Sequence, residues 1–117
     1  MSEPLPGSPL LARFPANVQA DYASYRTQAD LAAADRVIVA IVVDHVPAKS
    51  ALKGAPPDDA HRLIADLEFD SLTLAEVIFF VEDLFQVRLN QSDLNHIITV
   101  GDLRAYVKQR LPAASAR

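Results

Sequence analysis

The sequence predicts a small all-α protein, an up-and-down bundle of three main helices plus one short one, with a long first loop. Three observations carry that prediction. Apolar residues recur at steps of three and four through residues 30–46, 71–86 and 99–111, which is the spacing of one helix face. The prolines all fall outside those windows. The one strongly β-branched run, "VIVAIVV" at Val37 to Val43, has no second strand to pair with.

The chain has 117 residues, half of them hydrophobic, which suits one compact domain with a modest core. Residues 1–15 hold Pro4, Pro6, Pro9 and Pro15, four of the eight prolines, so neither a continuous helix nor a central strand is expected there. A mobile tail is the expectation. Residues 16–29 favour a helix, with Val18, Tyr22 and Tyr25 at helical spacing. It is either a short extra helix or an upstream extension of the next one.

The first main helix is predicted from about Asp30 to Val46. Leu31, Ala34, Ile38, Ile41 and His45 form its stripe, Val37 and Val42 widen it, and Pro47 closes it. Residues 47–66 form a long connection in which Gly54, Pro56 and Pro57 block regular structure. Leu63, Ile64 and Leu67 are the residues expected to pin it to the core.

The second main helix is predicted from Ser71 to Phe85 or Gln86. Leu74, Val77, Ile78, Val81, Leu84 and Phe85 form its core stripe, leaving Leu72 and Phe79 at or near the surface. A short helix or turn follows around Ser92 to His96. The last helix starts with Thr99 and Asp102 spaced as a capping box with the shorter acid. Leu103, Tyr106, Val107 and Leu111 face inward, and Arg104, Lys108 and Arg110 suit the negative end of the helix dipole. The chain therefore divides into a flexible or partly helical extension (1–28), a folded domain (29–111) and a disordered tail (112–117).

Composition narrows the chemistry. There is no cysteine, which excludes disulfides, thiolate metal sites and a cysteine nucleophile. No histidine pair has metal-binding spacing, and no EF-hand or phosphate loop is present, so no metal is expected. No apolar run is long enough to span a bilayer and no signal-peptide pattern is seen, so a cytoplasmic location is expected. Between Asp58 and Asp83 lie eight acids, Asp58, Asp59, Asp66, Glu68, Asp70, Glu76, Glu82 and Asp83, against Arg62 alone, a local net charge of −7. Such a patch disfavours nucleic acid and attracts basic protein surfaces.

Ser71 sits at the centre of that patch, in "DLEFDSL", and is open to three readings. It caps a helix, as Ser and Asp both do well. It is a nucleophile with His45, His61 or His96 as its base, although no G-x-S-x-G elbow is present and a strand-poor bundle lacks the scaffold for one. Or it is an attachment point, where an anion fixed to an exposed hydroxyl meets free N–H groups and the positive end of a helix.

The segment "DLEFDSLTLAEVIFFVEDLFQVRL", followed by "ITVGDLRAYV", resembles the acyl carrier proteins. Asp70, Ser71 and Leu72 match the family's Asp-Ser-Leu signature, and the likeness runs from about Ala29 to Leu111. The resemblance implies a four-helix carrier domain with 4′-phosphopantetheine, derived from coenzyme A, attached to Ser71 by a phosphopantetheinyl transferase. The arm's thiol would hold acyl groups as thioesters for fatty acid, lipid or polyketide-type biosynthesis, including secondary metabolites. No catalytic residue is implied, because the chemistry belongs to the cofactor and to partner enzymes.

The resemblance further implies that Leu72, Ala75, Glu76, Phe79, Glu82 and Asp83 form the docking surface. Acyltransferases, ketosynthases or acyl-activating ligases with basic surfaces are the partners it implies, and the carrier itself would be a monomer. Leu63, Ile64, Val77, Ile78 and Val81 would line a path for the acyl chain. Five residues depart from the family pattern. Glu68 stands where glycine is common, and Thr73 where an acid is common. The Phe79–Phe80 pair is bulkier than usual, and Asn90 replaces a common proline. Together with the N-terminal extension these features suggest a specialised carrier. The rival readings are a carrier-like adaptor or assembly subunit without thioester turnover, and an aminoacyl or peptidyl carrier.

Overall fold

The structure, a computed structural model, describes residues 9–111. Among them every regular element is helical, apart from one isolated bridge between Arg62 and Thr99. A 3-10 turn, Pro9–Leu11, leads into α1 (Ala16–Gln28). Then come α2 (Leu31–His45), α3 (Ser71–Phe85), a 3-10 segment (Gln91–His96) and α4 (Val100–Arg110). This is the expected small bundle, with α2 packed against α1, α3 and α4. The expected mobility of residues 1–8 and disorder of residues 112–117 lie outside the described residues.

Of the two readings of residues 16–29, the extra helix is the one observed. Ala29 adopts a left-handed conformation (φ 50°) and its N–H donates to the Tyr25 carbonyl at 2.7 Å, which closes α1. The Asp30 carboxylate then caps α2, accepting from the N–H groups of Ala32 and Ala33 at 3.1 and 3.2 Å. Residues 9–15 differ from the mobile tail expected. Leu11 and Phe14 are buried in the same core as the main helices. Proline blocks helix there, but it does not block packing. Phe14 tilts against Phe80 with centroids 5.9 Å apart, Arg13 pairs with Asp44, and the Gln19 amide donates to the Leu11 and Phe14 carbonyls.

The run from Val37 to Val43 is helical, and Val37, Ile38, Ile41 and Val42 are fully buried. The six predicted core residues of α3 are all buried, while Leu72 and Phe79 are exposed. In the connection before α3, Leu63 and Leu67 pin the chain as expected, but Ile64 is 57% exposed. Phe69 takes the pinning role instead, with its N–H donating to the Leu63 carbonyl at 3.0 Å.

At α4, Thr99 and Asp102 form the predicted capping box. Gly101 lies close against the loop, because a Cβ there would be 3.1 Å from the Asp59 Cβ and 3.2 Å from its carbonyl oxygen, tight enough that the loop would have to shift by a few tenths of an ångström. Arg104 does more than complement the helix dipole. Its guanidinium reaches across the bundle to Asp35 on α2 and to Asp59 in the loop, tying three segments together.

Candidate functional site

The site is built where the loop, the start of α3 and the segment before α4 meet. Two backbone bonds hold the loop to that segment, Leu63 N–H to the Ile98 carbonyl and Val100 N–H to the His61 carbonyl, each at 2.9 Å. The Asp66 carboxylate accepts from the Arg62 N–H at 2.7 Å and so tightens the turn at residues 62–66. That hydrogen bond holds the Asp66 carboxyl below the usual carboxylate range.

Asp70 is the N-cap of α3. Its carboxylate accepts from the Thr73 N–H at 2.7 Å, a bond that lowers its own pKa. Ser71 is thereby relieved of the capping role. It occupies the first helical position with its side chain exposed, and its hydroxyl makes no hydrogen bond to any described residue, histidine or otherwise. The geometry thus offers Ser71 as an unengaged hydroxyl at a capped helix start.

Beside it opens a cavity of about 610 Å3. Ser71, Leu74 and Ala75 of α3 form one wall, and Arg62, Ile64 and Ala65 of the loop form another. Leu94, Asn95, Ile97 and Ile98 close the third side. Most of this lining is apolar, so the cavity suits a flexible apolar or amphipathic group tethered at its edge. Of the five residues expected to line an acyl path, only Ile64 lines this cavity. Leu63, Val77, Ile78 and Val81 lie in the sealed core beyond it, at most 2% exposed.

The acids of the −7 stretch divide into two groups. Asp70 caps α3, Asp66 holds Arg62, Asp58 accepts from the Ala60 N–H, and Asp59 pairs with Arg104. Glu82, expected on the docking surface, is half-buried and accepts from the Leu89 N–H at 2.8 Å. Glu68, Glu76 and Asp83 are exposed, and their carboxylates make no hydrogen bond or ion pair with any described residue. Leu72 (66% exposed) and Phe79 (51%) stand on α3 with Glu76 between them, and Ala75 is half-buried where this face meets the cavity.

Glu68 itself has a positive φ of 64°. That conformation favours glycine, which explains physically why glycine is common at this point of the signature.

The sequence reading missed most of the cavity wall. Leu94, Ile97 and Ile98 belong to no long periodic stripe, and only the pairing of the loop with residues 98–100 brings them to Ser71. Arg62 carried a usable signal, as the one base in an acidic stretch.

Residues 48–107 match the family described as the phosphopantetheine attachment site. An acyl carrier protein of Shigella flexneri is 45% identical over 47 residues, which cover 40% of this chain and 60% of the relative, less than two thirds of its length. An acyl carrier protein of Chlamydia muridarum is 33% identical over 76 residues, covering 62% of this chain and 90% of the relative. A meromycolate extension acyl carrier protein of Mycolicibacterium aurum is 27% identical over 79 residues, covering 68% and 81%. No solved structure gives a significant match.

The class is therefore that of phosphopantetheine-bearing proteins, and within it this chain belongs to the acyl carrier protein family. The residues present fit the family's cofactor, since a free hydroxyl stands at the lip of an apolar cavity large enough to receive part of a tethered arm. None of the described helices is long and apolar enough to cross a membrane.

Proposed function

We propose that the chain is an acyl shuttle. 4′-Phosphopantetheine is attached to Ser71, acyl groups ride on its thiol as thioesters, and biosynthetic enzymes load and unload them. The observation that carries this reading is the division of labour at residues 70 and 71. Asp70 supplies the cap, so the exposed Ser71 hydroxyl is free for modification. The arm supplies the thiol that a cysteine-free chain lacks. The chain's own residues position the arm and shelter its cargo, and the bond-making chemistry stays with the partners.

Leu72, Ala75, Glu76, Phe79 and Asp83 form the docking face in this reading, with Glu82 stiffening its lower end. Its exposed apolar residues and unpaired acids suit partners with basic rims around an apolar pocket, including the transferase that attaches the arm. Cargo enters along Ile64, Leu74 and Ile98, and Leu63, Val77, Ile78 and Val81 form the inner end that longer chains would have to open. The carrier domain is residues 29–111, and the pathway is a specialised one. Glu68, the Phe79–Phe80 pair and the N-terminal segment packed into the core support that.

The test is direct. Incubation with coenzyme A and a broad-specificity transferase, followed by intact mass measurement, is expected to add one phosphopantetheine group to the wild type and none to Ser71→Ala. Addition to Ser71→Ala, or none to the wild type, would sink the proposal.

A further inference from the structure

We infer that Arg62 is an anion anchor at the mouth of the Ser71 cavity, pairing with the phosphodiester of the attached arm or with a carboxylate on its cargo. The inference rests on attachment at Ser71 and names a residue that holds what is attached.

Arg62 lines the same cavity as Ser71 and is the only Lys or Arg from residue 58 to 83. Its backbone is fixed from both sides. The N–H donates to Asp66 at 2.7 Å, and the carbonyl accepts from the N–H groups of Asp66 and Leu67 at 2.9 and 3.0 Å. The paired segments at 61–63 and 98–100 hold the same turn. The base of the side chain is therefore placed with little freedom, although the side chain itself is 61% exposed.

Its Nε faces Asp66 at 3.7 Å, and the two terminal nitrogens have no hydrogen-bond partner among the described residues. A guanidinium presents donors in a planar fork suited to two oxygens of one anion. With Nε turned toward Asp66 at ion-pair distance only, Arg62 keeps the outer edge of that fork for a ligand. The need for a cation is electrostatic. A phosphodiester on Ser71 adds a negative charge beside Asp70, Glu68 and Glu76, and in the cavity wall only Arg62 opposes it.

The experiment converts the wild type, Arg62→Gln, Arg62→Lys and Lys49→Gln to the arm-bearing form and confirms each by intact mass. Lys49 is the control, because its charge acts on Asp70 yet it does not line the cavity. Phosphorus NMR then reads the phosphodiester, and nitrogen-edited NMR reads the Arg62 Nε–H. With the phosphodiester as ligand, Arg62→Gln displaces and narrows the phosphorus resonance, Arg62→Lys returns it part of the way, and Lys49→Gln leaves it in place. With a cargo carboxylate as ligand, the phosphorus resonance is common to all four. The Arg62 Nε–H then moves when the arm carries a succinyl group and stays when it carries a butyryl group.

Invariance of both resonances, or displacement by Lys49→Gln equal to that by Arg62→Gln, would overturn the inference while leaving the shuttle intact. Failure of the wild type to gain the arm would overturn both. Thermal melts of Arg62→Gln matching the wild type would show that any spectral change is not unfolding.

Discussion

The two ends of α3 are built on different principles. At its C-terminal end aromatic side chains close the structure. Tyr22 and Tyr25 of α1 meet Phe85 edge-on, with centroids 5.8 and 5.4 Å apart, and Phe14 and His45 pack against Phe80. The Tyr22 hydroxyl also donates to the Leu84 carbonyl at 2.8 Å, satisfying one of the carbonyls that a helix end leaves open. At the N-terminal end the packing is sparse. A single cap orders the first turn, Ser71 and Leu72 are exposed, and the cavity opens alongside. A carrier has to present its tether and admit its cargo without losing its fold. If Ser71 bears the arm as proposed, concentrating stability at the far end of α3 leaves this end open for that work.

The largest effect that would test this contrast is a pair of substitutions on one helix. Phe85→Ala, at the closed end, is expected to cost about 3–5 kcal/mol through lost burial and the cavity left behind. Phe79→Ala, on the exposed face, is expected to stay within about 0.5 kcal/mol of the wild type, as surface substitutions generally do, while weakening partner docking. Thermal or denaturant unfolding gives the first comparison, and the rate of arm attachment by a limiting transferase gives the second. Equal losses of stability would mean that the two faces of α3 are wrongly assigned.

Acid should strike the open end next. The Asp70 and Asp66 carboxyls are held below their ordinary pKa by backbone N–H donors, as is Asp102 at the cap of α4. Asp35 is lowered by its bond to Arg104. A carboxyl whose folded pKa is depressed adds stability that is complete above its unfolded value of about 4, and that stability is lost as pH falls through the folded value. The melting temperature is therefore expected to hold from neutral pH down to about 5, and then to fall. Asp70→Asn should flatten part of that fall. An unchanged acid profile in Asp70→Asn would show that the cap carries none of it.

A smaller effect belongs to the closed end. Tyr22→Phe keeps the ring against Phe85 but deletes the hydroxyl that donates to Leu84 and accepts from Arg26 at 2.9 Å. The expected loss is about 1–2 kcal/mol, the range for a buried hydrogen bond whose acceptor is left unmet. Denaturant titration checks it. A loss below about 0.5 kcal/mol would mean that ring packing alone closes this end.

These sites differ in how legible they were. The stripe of α3 could be read directly, because a buried helix face repeats its apolar residues in the chain itself. The burial of Leu11 and Phe14 could not, since prolines announce only that a segment is not helical. Tyr22 stood at helical spacing, but its carbonyl partner is 62 residues away. The cavity was the least legible feature. Its walls come from the loop, α3 and the 94–98 segment, and the register of the Arg62–Thr99 bridge decides which side chains face it. In the same loop Ile64 is exposed and Phe69 is buried, an exchange that an apolar run such as "RLIADLEF" does not encode in its periodicity.

The finest test of the contrast uses backbone strain. Ala29 at the closed end and Glu68 at the open end both sit at positive φ, 50° and 64°. A residue with a Cβ pays about 1–2 kcal/mol there relative to glycine, partly offset by the greater freedom of glycine in the unfolded chain. Ala29→Gly and Glu68→Gly should therefore each stabilise by about 0.5–1 kcal/mol. Glu68→Gly also removes an unpaired acid three residues before Ser71, whereas Glu68→Gln removes the charge and keeps the strain. If the backbone is the cause, glycine raises the melting temperature at both positions and Glu68→Gln does not. Stabilisation by Glu68→Gln equal to that by Glu68→Gly would assign the effect to relief of charge repulsion. In the attachment assay Glu68→Gly and Glu68→Gln should behave alike, because the transferase meets the acid and not the strain. The strain at Glu68 would then be a feature that the open end tolerates without using.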